Sequence, residues 1–92
     1  MSDTIARSLR IVNEKGLHAR ASAKFVEVVE AHDATAEVTK DGMTVSGDSI
    51  MGLLMLAASR GTTIEVETSG AEAQRLADAL QALVADKFGE AY

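Results

Sequence analysis

Thr35-Ala36-Glu37-Val38-Thr39-Lys40-Asp41-Gly42-Met43-Thr44-Val45-Ser46-Gly47 is the stretch on which the fold turns. Two alternating segments, Thr35 to Lys40 and Met43 to Gly47, flank an Asp-Gly dipeptide. That pair is the strongest short-range hairpin signal, because glycine accepts the positive φ that a two-residue turn demands. The two segments are therefore predicted to pair directly as adjacent antiparallel strands.

Upstream of the hairpin, Ala19 to Ala31 consists of good helix formers, with Ala21, Phe25, Val28 and Val29 on one side and Lys24, Glu27 and Glu30 on another. Before it, Ile5 to Val12 carries Leu9 and Ile11 on one face and Ser8 and Arg10 on the other, the period-2 pattern of a half-buried strand. Asn13 to Gly16 forms the intervening turn. Downstream, Ser49 suits the N-cap of a short apolar helix over Ile50 to Ser59, closed by Gly61 in the left-handed position. Thr62 to Thr68 reads as a strand with Ile64 and Val66 inward and Glu65 and Glu67 outward. Ala71 to about Phe88 repeats Ala73, Leu76, Leu80, Leu83 and Val84 at helical spacing. The order is β-α-β-β-α-β-α, an α+β protein. Strands that alternate apolar-in and polar-out call for an antiparallel sheet with helices on one face and water on the other.

The 92 residues suffice for one domain, burying on the order of 60 to 65% of the surface that the unfolded chain exposes. Hydrophobic residues at 47% and charged ones at 25% are ordinary for a globular domain and exclude intrinsic disorder. With no cysteine, neither disulfides nor thiolate metal sites contribute, and packing must supply the stability. The first residues lack a basic stretch followed by an apolar core, and the longest apolar run, Leu53 to Ala58, is too short for a bilayer. A cytoplasmic location without membrane insertion is the expectation. A net charge of -5 argues against nucleic acid as a partner.

Gly16-Leu17-His18-Ala19-Arg20 falls where strand gives way to helix. Backbone N-H groups there lack intrahelical partners and the helix dipole favours an anion. Neutral imidazole is a nucleophile near pH 7, and its phosphoramidate is reactive enough to pass the group onward. Arg20 offers a planar fork of donors that matches phosphate geometry. Either residue alone would be ordinary, His18 as a cap and Arg20 as a solvated helix residue; a glycine turn, a histidine cap and a first-turn arginine together point to phosphoryl chemistry. His32 follows the first helix without such company and reads as a surface histidine. The two histidines do not make a metal-ligand spacing and no glycine-rich nucleotide loop is present, so neither metal nor cofactor is expected.

Gly16-Leu17-His18-Ala19-Arg20 and Asp48-Ser49-Ile50-Met51-Gly52 resemble the two signatures of the histidine-containing phosphocarrier protein (HPr) family of the phosphoenolpyruvate-dependent phosphotransferase system. The likeness covers nearly the whole chain, 1-92, as a single domain. It implies an open-faced β-sandwich of four antiparallel strands and three helices. It also implies that His18 is phosphorylated through Nδ1, that Arg20 stabilises the phosphoryl group, and that Ser49 corresponds to a serine phosphorylated in some members by an ATP-dependent HPr serine kinase. Ser49 also has a plain role as a helix cap. The implied partners are an enzyme I type phosphoenolpyruvate-protein phosphotransferase and downstream IIA-type acceptors, with the chain acting as a monomeric carrier rather than as an enzyme. The destination is sugar uptake or nitrogen-related regulation. Ala21 stands where the family usually has proline, and Asp48 where basic residues are frequent. Ile50, Met51, Leu54 and Met55, left outward once Leu53 and Leu56 face the core, join Ala21 and Lys24 as the expected partner surface. Two rivals remain: a regulatory module whose His18 and Ser49 phosphorylation gates docking without onward transfer, and a small acyl-phosphate hydrolase on a similar sandwich.

Overall fold

A computed structural model describes residues 4–92. It contains β1 (Ile5–Arg10), α1 (Ala19–Glu30), β2 (Thr35–Lys40), β3 (Met43–Ser46), α2 (Ile50–Met55), β4 (Thr63–Ser69) and α3 (Ala73–Ala85), followed by a 3-10 turn over Lys87–Gly89. The order is the one predicted. Asp41 and Gly42 both take positive φ, 51° and 80°, which is the turn geometry that matches strand twist. They set β2 against β3 with Val38 opposite Val45 and Lys40 opposite Met43.

The sheet runs β1-β4-β2-β3, entirely antiparallel between neighbours. β4 lies between β1 and β2, which makes those two strands mutually parallel with α1 as their crossover; likewise β3 and β4 are parallel with α2 as theirs. The two crossovers run in opposite directions along oppositely directed strands, so the common right-handed rule puts both helices on the same face. α3 covers β1 and β4 on that face, α1 packs between α2 and α3, and α2 reaches β3. The other face carries exposed Ala6, Ser8, Arg10, Glu37, Glu65 and Glu67.

Between the layers lies one core in which Ile11, Phe25, Val38, Leu53, Ile64, Leu76, Leu80 and Phe88 are fully buried. Thr68 is also fully buried, and its hydroxyl donates 2.8 Å to the Ala73 carbonyl, tying β4 to the first turn of α3. Val28, expected inward, is only partly buried at the edge of the core.

Two helix boundaries differ from expectation. α2 ends at Met55, four residues before Ser59: Leu56 and Ala57 close back on the Leu53 and Leu54 carbonyls, and Ala57 itself takes the left-handed turn at φ 50°. Gly61 has positive φ but lies beyond the helix, where its N-H extends the β1-β4 pairing to the Ile11 carbonyl at 2.7 Å. The reason is a contact distant in sequence, in which Leu17 N-H donates 2.9 Å to the Ala58 carbonyl and so draws the chain out of the helix. α3 ends at Ala85 rather than near Phe88, because Lys87, Phe88 and Gly89 all have positive φ and turn the chain back.

Gly16 makes the Leu17 contact possible. Its φ is 66°, and a Cβ there would lie 2.5 Å from the Ala58 oxygen. Gly42 has a comparable φ with open space around it. Gly42→Ala is expected to cost about 1 kcal/mol, backbone strain alone. Gly16→Ala is expected to cost roughly 3 kcal/mol or more, strain plus collision with a backbone oxygen that cannot move cheaply. Urea denaturation of the two variants measures the difference.

Candidate anion-binding site at the start of α1

The loop into α1 is built from buried anchors. Asn13 and Gly16 close a turn, Gly16 N-H donating 3.3 Å to the Asn13 carbonyl, and Leu17 is buried at 4% exposure. His18 follows as the N-cap in extended conformation, and its carbonyl accepts the first helical bond, from Ser22 N-H at 2.8 Å. The fully buried Ser22 hydroxyl donates 3.3 Å to the Leu17 carbonyl, bracing the turn from inside the helix.

Both ring nitrogens of His18 are engaged. Nδ1 accepts the Arg20 backbone N-H at 3.2 Å, a capping bond of the kind that Ser or Asn usually makes. An acceptor nitrogen carries a lone pair, so the ring proton sits on Nε2, which donates to Oε2 of Glu90. The His18 side chain is 27% exposed and that of Glu90 18%, an open but partly shielded pair.

Glu90 arrives from the segment after α3. Phe88, fully buried, plugs that segment into the core, and its carbonyl accepts the Lys24 ammonium at 2.6 Å. Beyond Glu90, the Tyr92 carbonyl accepts Glu14 N-H at 3.0 Å. The second Glu90 oxygen, Oε1, accepts the Asn13 side-chain amide at 3.0 Å. The same Asn13 nitrogen donates 2.8 Å to the Gly16 carbonyl. Partial burial pushes the Glu90 carboxyl up, but the hydrogen bonds from Asn13 and His18 and the charges of His18 and Lys15 outweigh it. The group therefore lies below the ordinary glutamate range.

His18 and Arg20 line one cleft of about 580 Å³ together with Glu14, Lys15, Ala19, Glu90, Ala91 and Tyr92. The Arg20 side chain is exposed and makes no hydrogen bond or ion pair among the described residues, so its guanidinium is available to a ligand. Lys15 and Arg20 share this cleft with the start of α1, whose dipole and backbone N-H groups can hold an anion there. Tetrahedral oxygens attached to Nδ1 would take over the Arg20 N-H that the ring now holds.

The other residues singled out in the sequence fall elsewhere. Ser49 caps α2, its hydroxyl accepting Gly52 N-H at 3.0 Å. Ile50, Met51 and Met55 are exposed at 40, 69 and 64%, and Leu54 is half-buried; none lines the cleft. Ala21 is a correction: it is fully buried against the core and offers no surface to a partner. Lys24, expected on a basic rim with Arg20, is half-buried with its ammonium held by the Phe88 carbonyl. Asn13 and Glu90, which sequence reading did not place at the site, contact the loop and ring of His18. The signal for Glu90 was Gly89, a helix terminator just before an acidic residue.

This architecture and cleft define a small α+β domain that presents one histidine, His18, at the start of a helix beside an exposed arginine. The chain belongs to the PTS-HPr family: residues 5–86 match its model, described as the PTS HPr component phosphorylation site. Relatives include the phosphocarrier protein HPr of Neisseria meningitidis, 46% identical over 94% of this chain and 97% of that one. The phosphocarrier protein NPr of Shewanella violacea is 38% identical over 95% of this chain and 96% of that one. Among solved structures, HPr from Thermoanaerobacter tengcongensis superposes with a TM-score of 0.91 at 33% identity, covering 96% of this chain and 99% of that one.

The depressed Glu90 carboxyl ties stability to pH. A group whose folded value lies below its unfolded one stabilises the fold above the ordinary glutamate range and loses that contribution as pH falls through the folded value. Asp78, lowered by Arg7 and Gln74, and Glu72, lowered chiefly by the Asp33 N-H, act in the same direction. Unfolding free energies in urea are expected to decline with acidification through the carboxylate range, and Glu90→Gln to decline less steeply than the parent protein. An equally steep decline in that variant would contradict the Glu90 contacts.

Proposed function

We propose that this protein is a phosphocarrier in which His18 accepts a phosphoryl group at Nδ1 from an enzyme I type, phosphoenolpyruvate-dependent kinase and passes it to a downstream IIA-type acceptor. The observation that carries this reading is the division of labour at the ring: Nδ1 is an unprotonated acceptor facing the helix start, while Nε2 is tied to Glu90. Family membership supports the same reading.

The chemistry needs no proton to leave the nucleophile. The Nδ1 lone pair attacks phosphorus; the P-N bond forms as the bond to the donor breaks, and the donor keeps that electron pair. The ring, with its proton still on Nε2, becomes a phosphorylated imidazolium whose charge the Glu90 carboxylate balances, as a carboxylate does for a catalytic imidazolium. Arg20 and the first-turn N-H groups hold the phosphoryl oxygens. Onward transfer reverses the step: an acceptor nucleophile takes the phosphorus and the bonding pair returns to Nδ1. Chemical turnover thus belongs to the partners.

The exposed apolar side chains of α2, Ile50, Met51 and Met55, supply a docking surface on the helix beside α1. A phosphate on Ser49 would still offer an acceptor oxygen to Gly52 N-H, and would add about -1.5 to -2 charges next to Asp48 and this surface.

Incubation with enzyme I and labelled phosphoenolpyruvate is expected to give acid-labile, base-stable label on the protein and none on His18→Ala. Arg20→Ala is expected to slow labelling about tenfold, in line with loss of one charge-assisted contact of roughly 1.5 kcal/mol. Label persisting unchanged on His18→Ala would sink the assignment. A chase with sugar-specific and nitrogen-related IIA proteins identifies the acceptor; retention of label with every acceptor would favour a regulatory module without onward transfer.

A further inference from the structure

Asn13 is fully buried, yet it is neither a helix cap nor a core apolar residue. Its side-chain nitrogen donates both to the Gly16 carbonyl at 2.8 Å and to Oε1 of Glu90 at 3.0 Å. Both partners are acceptors, so the amide cannot be turned over without setting its oxygen against a carbonyl and a carboxylate. That oxygen, Oδ1, is itself buried without a hydrogen-bond partner among the described residues. A buried amide that leaves one end unsatisfied is unfavourable in a core this small, where an apolar residue would pack more simply. The contacts made by the nitrogen end give it a task.

That task is visible in what the nitrogen holds. The Gly16 carbonyl belongs to the turn that delivers His18, and Glu90 is the residue that receives the Nε2 proton of His18. A single NH2 group thus fixes the loop and the carboxylate in one frame. The backbone around Glu90 is anchored through Phe88, Tyr92 and its own N-H to the Lys87 carbonyl, none of which fixes the direction of the Glu90 carboxylate, whereas the Asn13 amide does.

We infer that Asn13 is a positioning residue for phosphoryl transfer: it aims the Glu90 carboxylate at Nε2 of His18, and through it keeps the ring proton off the reacting nitrogen Nδ1. The inference rests on the reading of His18 as the phosphoryl acceptor. It assigns a chain, Asn13 to Glu90 to His18, in which the outer member never touches phosphorus. The arrangement follows a general pattern in which the group behind an imidazole's carboxylate partner controls orientation and tautomer.

The test reads the His18 ring by nitrogen-15 NMR with no phosphoryl donor present, alongside the rate of phosphoryl acceptance from enzyme I. In the parent protein the ring is expected as the Nε2-H form. In Asn13→Ala the Nδ1-H form is expected to appear, with acceptance slowed about tenfold, the low end for loss of an orienting partner. In a Glu90→Ala background, Asn13→Ala is expected to leave the ring tautomer unchanged, because the link is already cut, and any further slowing reports only the lost Gly16 contact. A folded Asn13→Ala with an unchanged ring, or a tautomer shift of equal size without Glu90, overturns the inference. Should Asn13→Ala fail to fold, Glu90→Ala alone decides: the Asn13 side-chain amide resonances are expected to shift and to exchange faster with solvent, and their constancy would refute the link. A ring that responds as expected in a protein that enzyme I never labels would overturn the carrier reading while leaving the orienting chain intact.

Discussion

The passage of the Gly16-Leu17 backbone against Ala58 is the constraint on which the other features hang. Leu17 N-H reaches the Ala58 carbonyl at 2.9 Å only because residue 16 has no Cβ to meet that same oxygen. The contact joins residues forty-one positions apart, Leu17 and Ala58, and does three things together. It buries Leu17 as an anchor, it starts α1 at His18, and it pulls the chain out of α2 after Met55, forcing Ala57 into a left-handed conformation that alanine adopts only at a cost. A fold held this way has its histidine set by backbone geometry rather than by the packing of the ring itself. The ring can therefore remain accessible without being loose.

Charge is arranged on the same frame. The chain carries a net -5, yet Lys15 and Arg20 stand on the cleft and the start of α1 contributes its own partial positive charge. Glu90 carries charge that opposes an incoming anion, but it contacts the ring at Nε2, across the imidazole from the nitrogen that accepts the Arg20 N-H. In the proposed carrier, a phosphoryl group on Nδ1 would leave the imidazolium between two anions, one covalently attached and one held by a hydrogen bond. The carboxylate then favours the charged ring, and a charged ring is the better leaving group for the next transfer.

What the sequence disclosed follows from how local each signal is. Asp41-Gly42 announces its turn because two adjacent residues must both take positive φ, and His18 and Arg20 announce theirs because capping nitrogen and guanidinium lie within one helical turn. The helical period had already grouped Ala21 with Phe25 and Val29, and burial followed that period rather than the neighbouring Arg20. The order β1-β4-β2-β3 was not legible, since a strand's alternation says which face is wet but not which strand lies beside it. Nor was the short α2, whose apolar run is helical by propensity and is ended by the contact with Leu17. Glu90 lies seventy-two residues from His18, and nothing in an acidic residue after a glycine states where it will dock.

Partial exposure of the pair suits transfer in both directions. A histidine sealed in a pocket could gain strength from low dielectric, but it could not be reached by a nucleophile or electrophile carried on another protein. Here the groups that fix the ring are buried or backbone: Leu17, the Ser22 hydroxyl, the Asn13 amide and the Arg20 N-H. The groups that would meet the phosphoryl oxygens, Arg20 and Lys15, are exposed and within reach of a partner. Rigidity and availability are thus divided between different atoms of one short loop. The division lets a domain of this size hold a reactive bond and still release it, because the energy of holding is spread over contacts that each partner can replace.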